Sequence, residues 1–577
     1  MKQLDSSEED GRNVWWLGST ADQDESTMTT RIVCLGGGYT ALWLTRSLRQ
    51  AIRRGRIDLT IVCRDNFHTF HGFVHEMLVG KIQAAQIISA ARRVFRPANF
   101  HNAEIESIDL AGRTVTTSRK LDGRQYVLPF DHLVIAVGST DDLSRYAGIA
   151  EHALSLKAYW DCFRARNQII SMLEMAEIEQ DPVERRRLLT FVVAGGNFGG
   201  VEVATELKWY LQSLAGREYV RIHADEIRVI IVHSLDRILP ELLRHHEPLV
   251  AWAERYVAQS GIDIRLNTKV AAATAEEVIL STGERIPTRT IISCTGTSQS
   301  PLLDTLDLQR DERGRAQTDE FLRVPGHSNL WAGGDCAAVP HPKGGTCPPL
   351  GIFALTHGRQ IARNIMRTLE GRSLEKYQFI GLGDGCSLGH RRAVAHLKGV
   401  RMTGLVAWLA WRLILLHFIP AFDRKVRLVL DWIVWPLIGR DVVNMKVEQP
   451  MAVQKEHFEP GQDIVRQGDT GRRLYVIWKG EVDVLKDGPS GQEEIARLGS
   501  GQHFGEIAVF NDVRRTATVR ARTPVDLISI GRTEALAFGN AIDSLGKTMR
   551  QLPTSRTKDA GAVDEQIRSS TTAPPIQ

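Results

Sequence analysis

RIVCLGGGYTALWL, residues 31–44, and LLTFVVAGGNFGGVE, residues 188–202, decide the fold, because each runs from a β-branched strand through a glycine turn into a helix. In a Rossmann unit the first glycine makes the tight turn and the second lets backbone approach a pyrophosphate. A third position, Gly or Ala, lets the helix pack on the strand. Gly36, Gly37, Gly38, Tyr39 and Ala41 hold these places in the first turn, and Gly195, Gly196, Asn197, Phe198 and Gly200 in the second. The pyrophosphate then meets the free N–H groups and positive end of the helix that follows. One such turn is weak evidence, since glycine turns are common. Two in one chain point to two dinucleotides, a flavin (FAD) and a nicotinamide.

Working outward, a strand over 31–35, a helix to about residue 54 and a strand over 59–63 complete one βαβ unit. A strand over 188–194, a helix through 214 and a strand over 227–233 complete another. NLWAGGDCA, residues 329–337, reads as a late strand returning to the first sheet, with Asp335 beside the flavin ribityl chain. The expected architecture is α/β, with two Rossmann-type dinucleotide-binding domains, the nicotinamide one inserted in the FAD one. Its expected boundaries are a disordered tail over 1–28, FAD domain over 29–150 and 300–385, and NAD(P)H domain over 151–299.

Composition bounds the rest. The 577 residues, 43% hydrophobic and 24% charged, suit a globular chain, with room for about three or four domains. A net charge of +4 is too small to argue for nucleic acid. The seven cysteines contain no C-x-x-C pair, so neither a disulfide framework nor a zinc ribbon is written here, no metal site is expected, and a reducing cytoplasm fits. The polar, acidic N-terminus lacks a signal-peptide pattern, an expectation against secretion. Folding is expected to begin at Arg31, which makes Met28 a candidate start.

Residues 31 to about 445 resemble a type II NADH dehydrogenase, the single-subunit NADH:quinone oxidoreductase with the pyridine nucleotide-disulfide oxidoreductase fold. The matching segments are CRDNFHTF (63–70), the 188–202 turn, GERIPTRTIISCTG (283–296), LRVPGHSNLWAGGDCA (322–337), SLGHRRAV (387–394) and GLVAWLAWR (404–412). The resemblance implies hydride transfer from NADH to FAD and delivery of two electrons to a membrane quinone. It extends the flavin contacts to Cys63, Arg64, Gly138, Gly334, Asp335 and Ile352, and the nicotinamide contacts to Glu202, His233 and Gly296. Glu202, Thr356 and His357 become the catalytic candidates, His357 as a donor to a quinone oxygen or a proton shuttle.

Departures from the family pattern are informative. Cys63 stands where an acid bonds the flavin-side ribose, with Asp65 two residues on, and His233 replaces the equivalent acid of the nicotinamide unit. Losing that carboxylate removes repulsion against a 2′-phosphate, and Arg237 is close in sequence, so either NADH or NADPH fits. Asn197 replaces the second glycine, tolerates a left-handed backbone, and brings a side chain that would crowd the pyrophosphate. Gly351-Ile352 and Thr356-His357 replace the family's Ala-Gln and Gln-Gln pairs at the flavin and quinone. Cys347 and Cys162 are the candidates for a thiol relay of the sulfide:quinone kind, against the usual reading of buried cysteine as an inert small hydrophobe.

Within 386–447, the stretch 404–420 is rich in Leu, Ile and Trp, but Arg412 and His417 interrupt it and it is too short to span a bilayer. Val426, Leu430, Ile433 and Leu437 then line one helical face, with Arg424, Arg427 and Asp431 on another. With Trp408, Trp411, Trp432 and Trp435 this reads as an amphipathic, in-plane anchor on a lipid surface. A homodimer interface or a core helix pair is the alternative.

Residues 448–540 have a different grammar of short alternating strands and glycine turns, a β-roll. FGEIAVFNDVRRTATVRA, residues 504–521, resembles the phosphate cassette of cyclic-nucleotide-binding domains. Gly505, Glu506, Ile507 and Ala508 would open a short helix toward the cyclic phosphate, Arg515 would neutralise it, and Glu506 would accept the ribose 2′-hydroxyl. Thr516 leaves cAMP against cGMP open, and 552–577 is expected to be a disordered tail. The leading expectation is an FAD-dependent NAD(P)H:quinone oxidoreductase, peripheral on the cytoplasmic membrane face and modulated by a cyclic nucleotide. Beside it stand a soluble NAD(P)H reductase with another acceptor, and a cyclic-nucleotide receptor with a slow redox-sensing flavoprotein module.

Overall fold

A computed structural model describes residues 29–531 apart from 120–122, 144–145, 244–245, 296–297, 439–441, 444–452, 470–472, 489–490 and 512, together with Ala535. The expectations for 1–28, 552–577 and Gly296 fall outside these residues.

The first glycine turn joins the strand Thr30–Leu35 to the helix Tyr39–Arg53. That strand is central in a five-stranded sheet whose order is Leu330–Ala332, His132–Ile135, Thr30–Leu35, Ile57–Cys63, Asn99–Asn102, all parallel. The last strand to be synthesised thus returns to the edge of the first sheet, as NLWAGGDCA suggests. The second turn joins Thr190–Ala194 to Phe198–Leu214 in a second parallel sheet, ordered Ala153–Leu154, Thr290–Ser293, Thr190–Ala194, Arg228–Val232, Ile262–Arg265. Strands covered on both faces read as continuous apolar runs, and Phe191 to Val193 and Val229 to Val232 are all at most 3% exposed.

Gly358, inside the helix Gly351–Leu369, lets that helix lie against Tyr39–Arg53, since a Cβ there would sit 2.1 Å from the Thr40 carbonyl oxygen. A three-stranded antiparallel sheet, Gly383–Ser387, Ala393–Leu397 and Val400–Thr403, leads into the helices Gly404–Phe418 and Phe422–Ile438. From Val453 two four-stranded antiparallel sheets form the roll around Phe458, Ile477, Val482 and Leu527.

Candidate functional site

The flavin-side glycine turn and the first turns of the helix Phe198–Leu214 line one cavity of about 1010 Å³. Gly36, Gly37, Gly38, Tyr39, Cys63, Arg64, Gly138, Gly334 and Asp335 line it on one side, and Gly199, Glu202, Val203 and Cys294 on the other. Among the proposed flavin contacts, Ala41 and Ile352 are not in this lining, and among the proposed nicotinamide contacts Gly195, Gly196, Asn197, Phe198, Gly200 and His233 are not in it either, leaving Glu202.

The flavin-side turn is built for close approach. A Cβ at Gly36 would lie 2.2 Å from the Ala136 carbonyl oxygen, and one at Gly37 2.8 Å from Cys63 Sγ, whereas one at Gly38 would meet nothing within 4 Å. The cradle therefore stays open toward the helix N-terminus, where a pyrophosphate fits. His68, which sequence reasoning passed over inside CRDNFHTF, buttresses this turn. Its Nδ1–H donates to the Gly37 carbonyl at 2.9 Å, its ring meets Tyr39 edge-on at 5.0 Å, and burial holds its imidazole down at about 4.

On the nicotinamide side Asn197 caps its helix. Its backbone is extended, with φ −75°, its Oδ1 accepts the Gly200 N–H at 3.0 Å, and its Nδ2 donates to the Cys294 carbonyl at 2.7 Å. The side chain folds back onto the protein, which corrects both the left-handed backbone and the crowding expected of it. His233 Nδ1 accepts the Gly196 N–H at 3.0 Å, so the imidazole fills the place of the missing acid as a neutral, buried ring. Arg237 is held by Glu254 at 2.7 Å and Glu247 at 3.6 Å, so its charge is already matched and the expected partner for a 2′-phosphate is engaged elsewhere.

Glu202 lines the cavity and accepts the Ser387 N–H at 3.0 Å, with His75 Nδ1 3.4 Å away, and burial raises its carboxyl. His75 also lines the cavity. Nothing local in HGFVHEML marks it, because only the packing of the helix Val74–Leu78 on Phe198–Leu214 brings the two residues together. Below them two ion pairs are buried, Lys81 with Glu206 and Glu76 with Arg412.

The remaining catalytic candidates lie elsewhere. His357 Nδ1 accepts the Gly334 N–H at 3.1 Å, fixing the turn that carries Asp335, and burial lowers its imidazole to about 3. It is a neutral brace, and a titrating shuttle near pH 7 does not follow. Thr356 Oγ1 is 2.7 Å from the Tyr377 hydroxyl, and neither Thr356 nor His357 is in the cavity lining. Cys162 and Cys347 belong to separate apolar clusters, and burial pushes both thiols up to about 12, which removes the thiolate a relay needs.

The two helices after the antiparallel sheet turn one face inward through Ala407, Arg412 and Leu428, with Ile419 buried between them, and leave Leu405, Val406, Leu409, Leu413, Phe422, Val426, Leu430 and Ile433 outward. Phe422 is 80% exposed and Leu413 64%. Trp408, Trp411 and Trp432 are half-buried. Trp408 and Trp432 stack on the buried Arg412 guanidinium at 4.3 and 4.1 Å, and Trp411 packs on Gly385. The Trp408 and Trp432 rings give the buried Arg412, paired with Glu76, a polarisable shell. The side chains of Trp435 and Leu437 are not among those described. No helix among the described residues is long and apolar enough to cross a membrane.

In the roll, the helix Glu506–Asn511 opens behind Gly505, whose φ of +89° and place against Arg515 demand glycine. Arg515 is buried, donates to the Gly505 and Arg473 carbonyls at 3.1 and 2.8 Å, and lies 5.7 Å from the Tyr475 ring centroid. Glu506 and Ala508 are buried, Ile507 is half-buried and Thr516 is exposed.

Residues 30–361 match the pyridine nucleotide-disulphide oxidoreductase family, 383–441 the NDH2 C-terminal domain and 455–540 the cyclic nucleotide-binding domain. The chain is 27% identical over 418 residues to a type II NADH:quinone oxidoreductase of Mycobacterium tuberculosis, covering 70% of this chain and 87% of the relative. It is 29% identical over 415 residues to a demethylphylloquinone reductase of Synechocystis, covering 70% and 96%. Among solved structures it resembles NDH2 from Plasmodium falciparum in complex with NADH, with a TM-score of 0.66, 15% identity, and coverage of 72% of this chain and all of that one.

Proposed function

Because this chain belongs to the pyridine nucleotide-disulphide oxidoreductase family, and is thereby an oxidoreductase, we propose that it is an FAD-dependent NADH:quinone oxidoreductase seated on a lipid surface and modulated by a cyclic nucleotide. One observation carries the reading: a single cavity is walled by the flavin-side glycine turn and Asp335 and, opposite them, by Glu202 on the nicotinamide-side helix. FAD, when bound, supplies the two-electron acceptor chemistry. The chain supplies position and charge. The N–H groups behind Gly36 to Gly38 would hold the pyrophosphate, and Asp335, braced through His357, would hold the ribityl chain.

Oxidation of NADH by a quinone consumes one proton from solvent for each quinol formed. Glu202 can hold that proton, since burial favours its neutral form, and His75 at 3.4 Å can exchange it. NADH is the favoured donor because Glu254 and Glu247 already neutralise Arg237. A quinone acceptor is supported by the names of the relatives and by the outward apolar face, which suits a ligand dissolved in lipid.

The test is a purification followed by visible spectroscopy. The protein should be yellow with non-covalent FAD, NADH should bleach it, and a short-chain quinone should restore the colour. Asp335→Ala should retain less FAD after dialysis. A folded, colourless protein that takes up no FAD overturns the enzyme reading and favours a cyclic-nucleotide receptor. Bleaching without recovery by quinone points to another acceptor.

A further inference from the structure

Between the roll and the nicotinamide-side sheet lies a polar joint that the proposed chemistry does not use. His457, on the strand Val453–Phe458, donates its backbone N–H to His152 Nε2 at 3.0 Å, and His152 ends the short helix Ile149–His152. Burial pulls the His152 imidazole down to about 4, so the ring is neutral at pH 7. Its Nε2 also lies 3.1 Å from the His457 carbonyl oxygen, so one ring nitrogen meets both backbone groups of His457, accepting from the N–H in one tautomer and donating to the carbonyl in the other. The His457 ring is held between two carboxylates, Nδ1 2.5 Å from Asp526 and Nε2 3.3 Å from Glu459. Beside it Gln462 Nε2 reaches Glu277 Oε1 at 3.2 Å and Thr274 Oγ1 at 3.5 Å. The packing leaves no room to slide, since a Cβ at Gly148 would lie 1.8 Å from the Ala273 carbonyl oxygen and 3.0 Å from His457 Cδ2.

Each side of the joint is tied to a site. In the roll, the Ala521 N–H donates to the Gln462 carbonyl at 2.9 Å and the Gly461 N–H to the Ala521 carbonyl at 2.7 Å. Ala521 ends the strand Thr518–Ala521, which continues directly from Arg515 and Thr516. On the enzyme side the chain runs from His152 through the strand Ala153–Leu154 to Ser155, whose hydroxyl donates to Asp141 at 2.7 Å and accepts the Lys157 N–H at 3.1 Å. The Lys157 carbonyl accepts from His71 Nε2 at 3.0 Å, and Leu156, Lys157, Ala158, Tyr159 and Trp160 line the dinucleotide cavity.

We infer that the His457–His152 and Gln462–Glu277 contacts carry occupancy of the roll's cassette to the cavity wall at 156–160, so that a cyclic nucleotide regulates how tightly the nicotinamide dinucleotide is held. The inference rests on reading the cassette as a cyclic-nucleotide site. Linkage makes the effect reciprocal: the dinucleotide changes cyclic-nucleotide affinity by the same factor.

Calorimetry on the full-length, FAD-loaded protein tests this with cAMP, cGMP and NAD⁺, which binds without reducing the flavin. Each ligand should shift the affinity of the other by one common factor, between about 5- and 150-fold. Amide hydrogen exchange over 149–160 should change when the cyclic nucleotide binds. His152→Ala and Gln462→Ala should still bind the cyclic nucleotide within about threefold of wild type, yet lose both the shift and the exchange change. His152→Gln, whose amide oxygen can accept the His457 N–H, should keep most of both. FAD content reports folding of each variant. Wild type that binds a cyclic nucleotide without any shift in NAD⁺ affinity, or alanine variants that keep the full shift, overturn the inference and leave the cassette reading standing. Binding of neither cAMP nor cGMP overturns the cassette reading and this inference with it.

Discussion

His357 and His68 show how single residues take their roles from burial. Both sit near the flavin-side turn as neutral acceptors or donors, with imidazoles lowered from 6.5 to about 3 and about 4. A base whose folded value is depressed binds fewer protons in the native state than in the unfolded chain. The stability it contributes is therefore present above about pH 6.5 and lost as pH falls through the window below it. Each should cost about 2 kcal/mol at pH 5 relative to pH 7. Urea midpoints at the two pH values should fall together with FAD retention, and His357→Gln should lessen the pH 5 loss; an unchanged loss would refute the assignment. The proposed preference for NADH also rests on single residues. Releasing Arg237 by Glu254→Gln should raise kcat/KM for NADPH relative to NADH by roughly tenfold, about 1.4 kcal/mol, in steady-state assays with both donors.

At the scale of elements, the helices Gly404–Phe418 and Phe422–Ile438 have two faces with opposite consequences. The inner face carries Arg412 onto Glu76 and Asp431 onto Gln86 at 2.5 Å, so removing the whole segment would strand a buried carboxylate. Arg412→Leu alone should destabilise the protein by about 3–5 kcal/mol in chemical denaturation, because one charge of a buried pair is left unmatched. The outer face is the one proposed to meet a lipid surface. Leu409→Glu with Leu413→Glu should abolish flotation with anionic liposomes while the flavin spectrum persists, since both residues point away from the core. Flotation unchanged in that double variant would assign the apolar face to another partner.

For the whole molecule, the proposed regulation depends on the cassette of the roll. Arg515→Ala should abolish any response of turnover to cAMP or cGMP without altering FAD content, because the cyclic phosphate would lose its counter-charge. A variant that still responds would place the ligand elsewhere. Much of this architecture is legible in the chain. The two glycine turns, the apolar strand runs and the cassette are local patterns, in which each residue's neighbours in sequence dictate backbone geometry, and they determined the α/β class, the late strand returning to the first sheet, and the roll. The alternation of exposed Val426, Leu430 and Ile433 is equally local. Only the tertiary structure decided what depends on meeting across the chain: His75 facing Glu202, Arg237 claimed by Glu254, Asn197 folded back as a cap, and three tryptophans drawn inward around Arg412 and against Gly385. Those outcomes turn on which polar group finds a partner when water is excluded. A buried charge or lone pair must be matched by whatever residue the packing brings within about 3 Å, and sequence order does not say which residue that is.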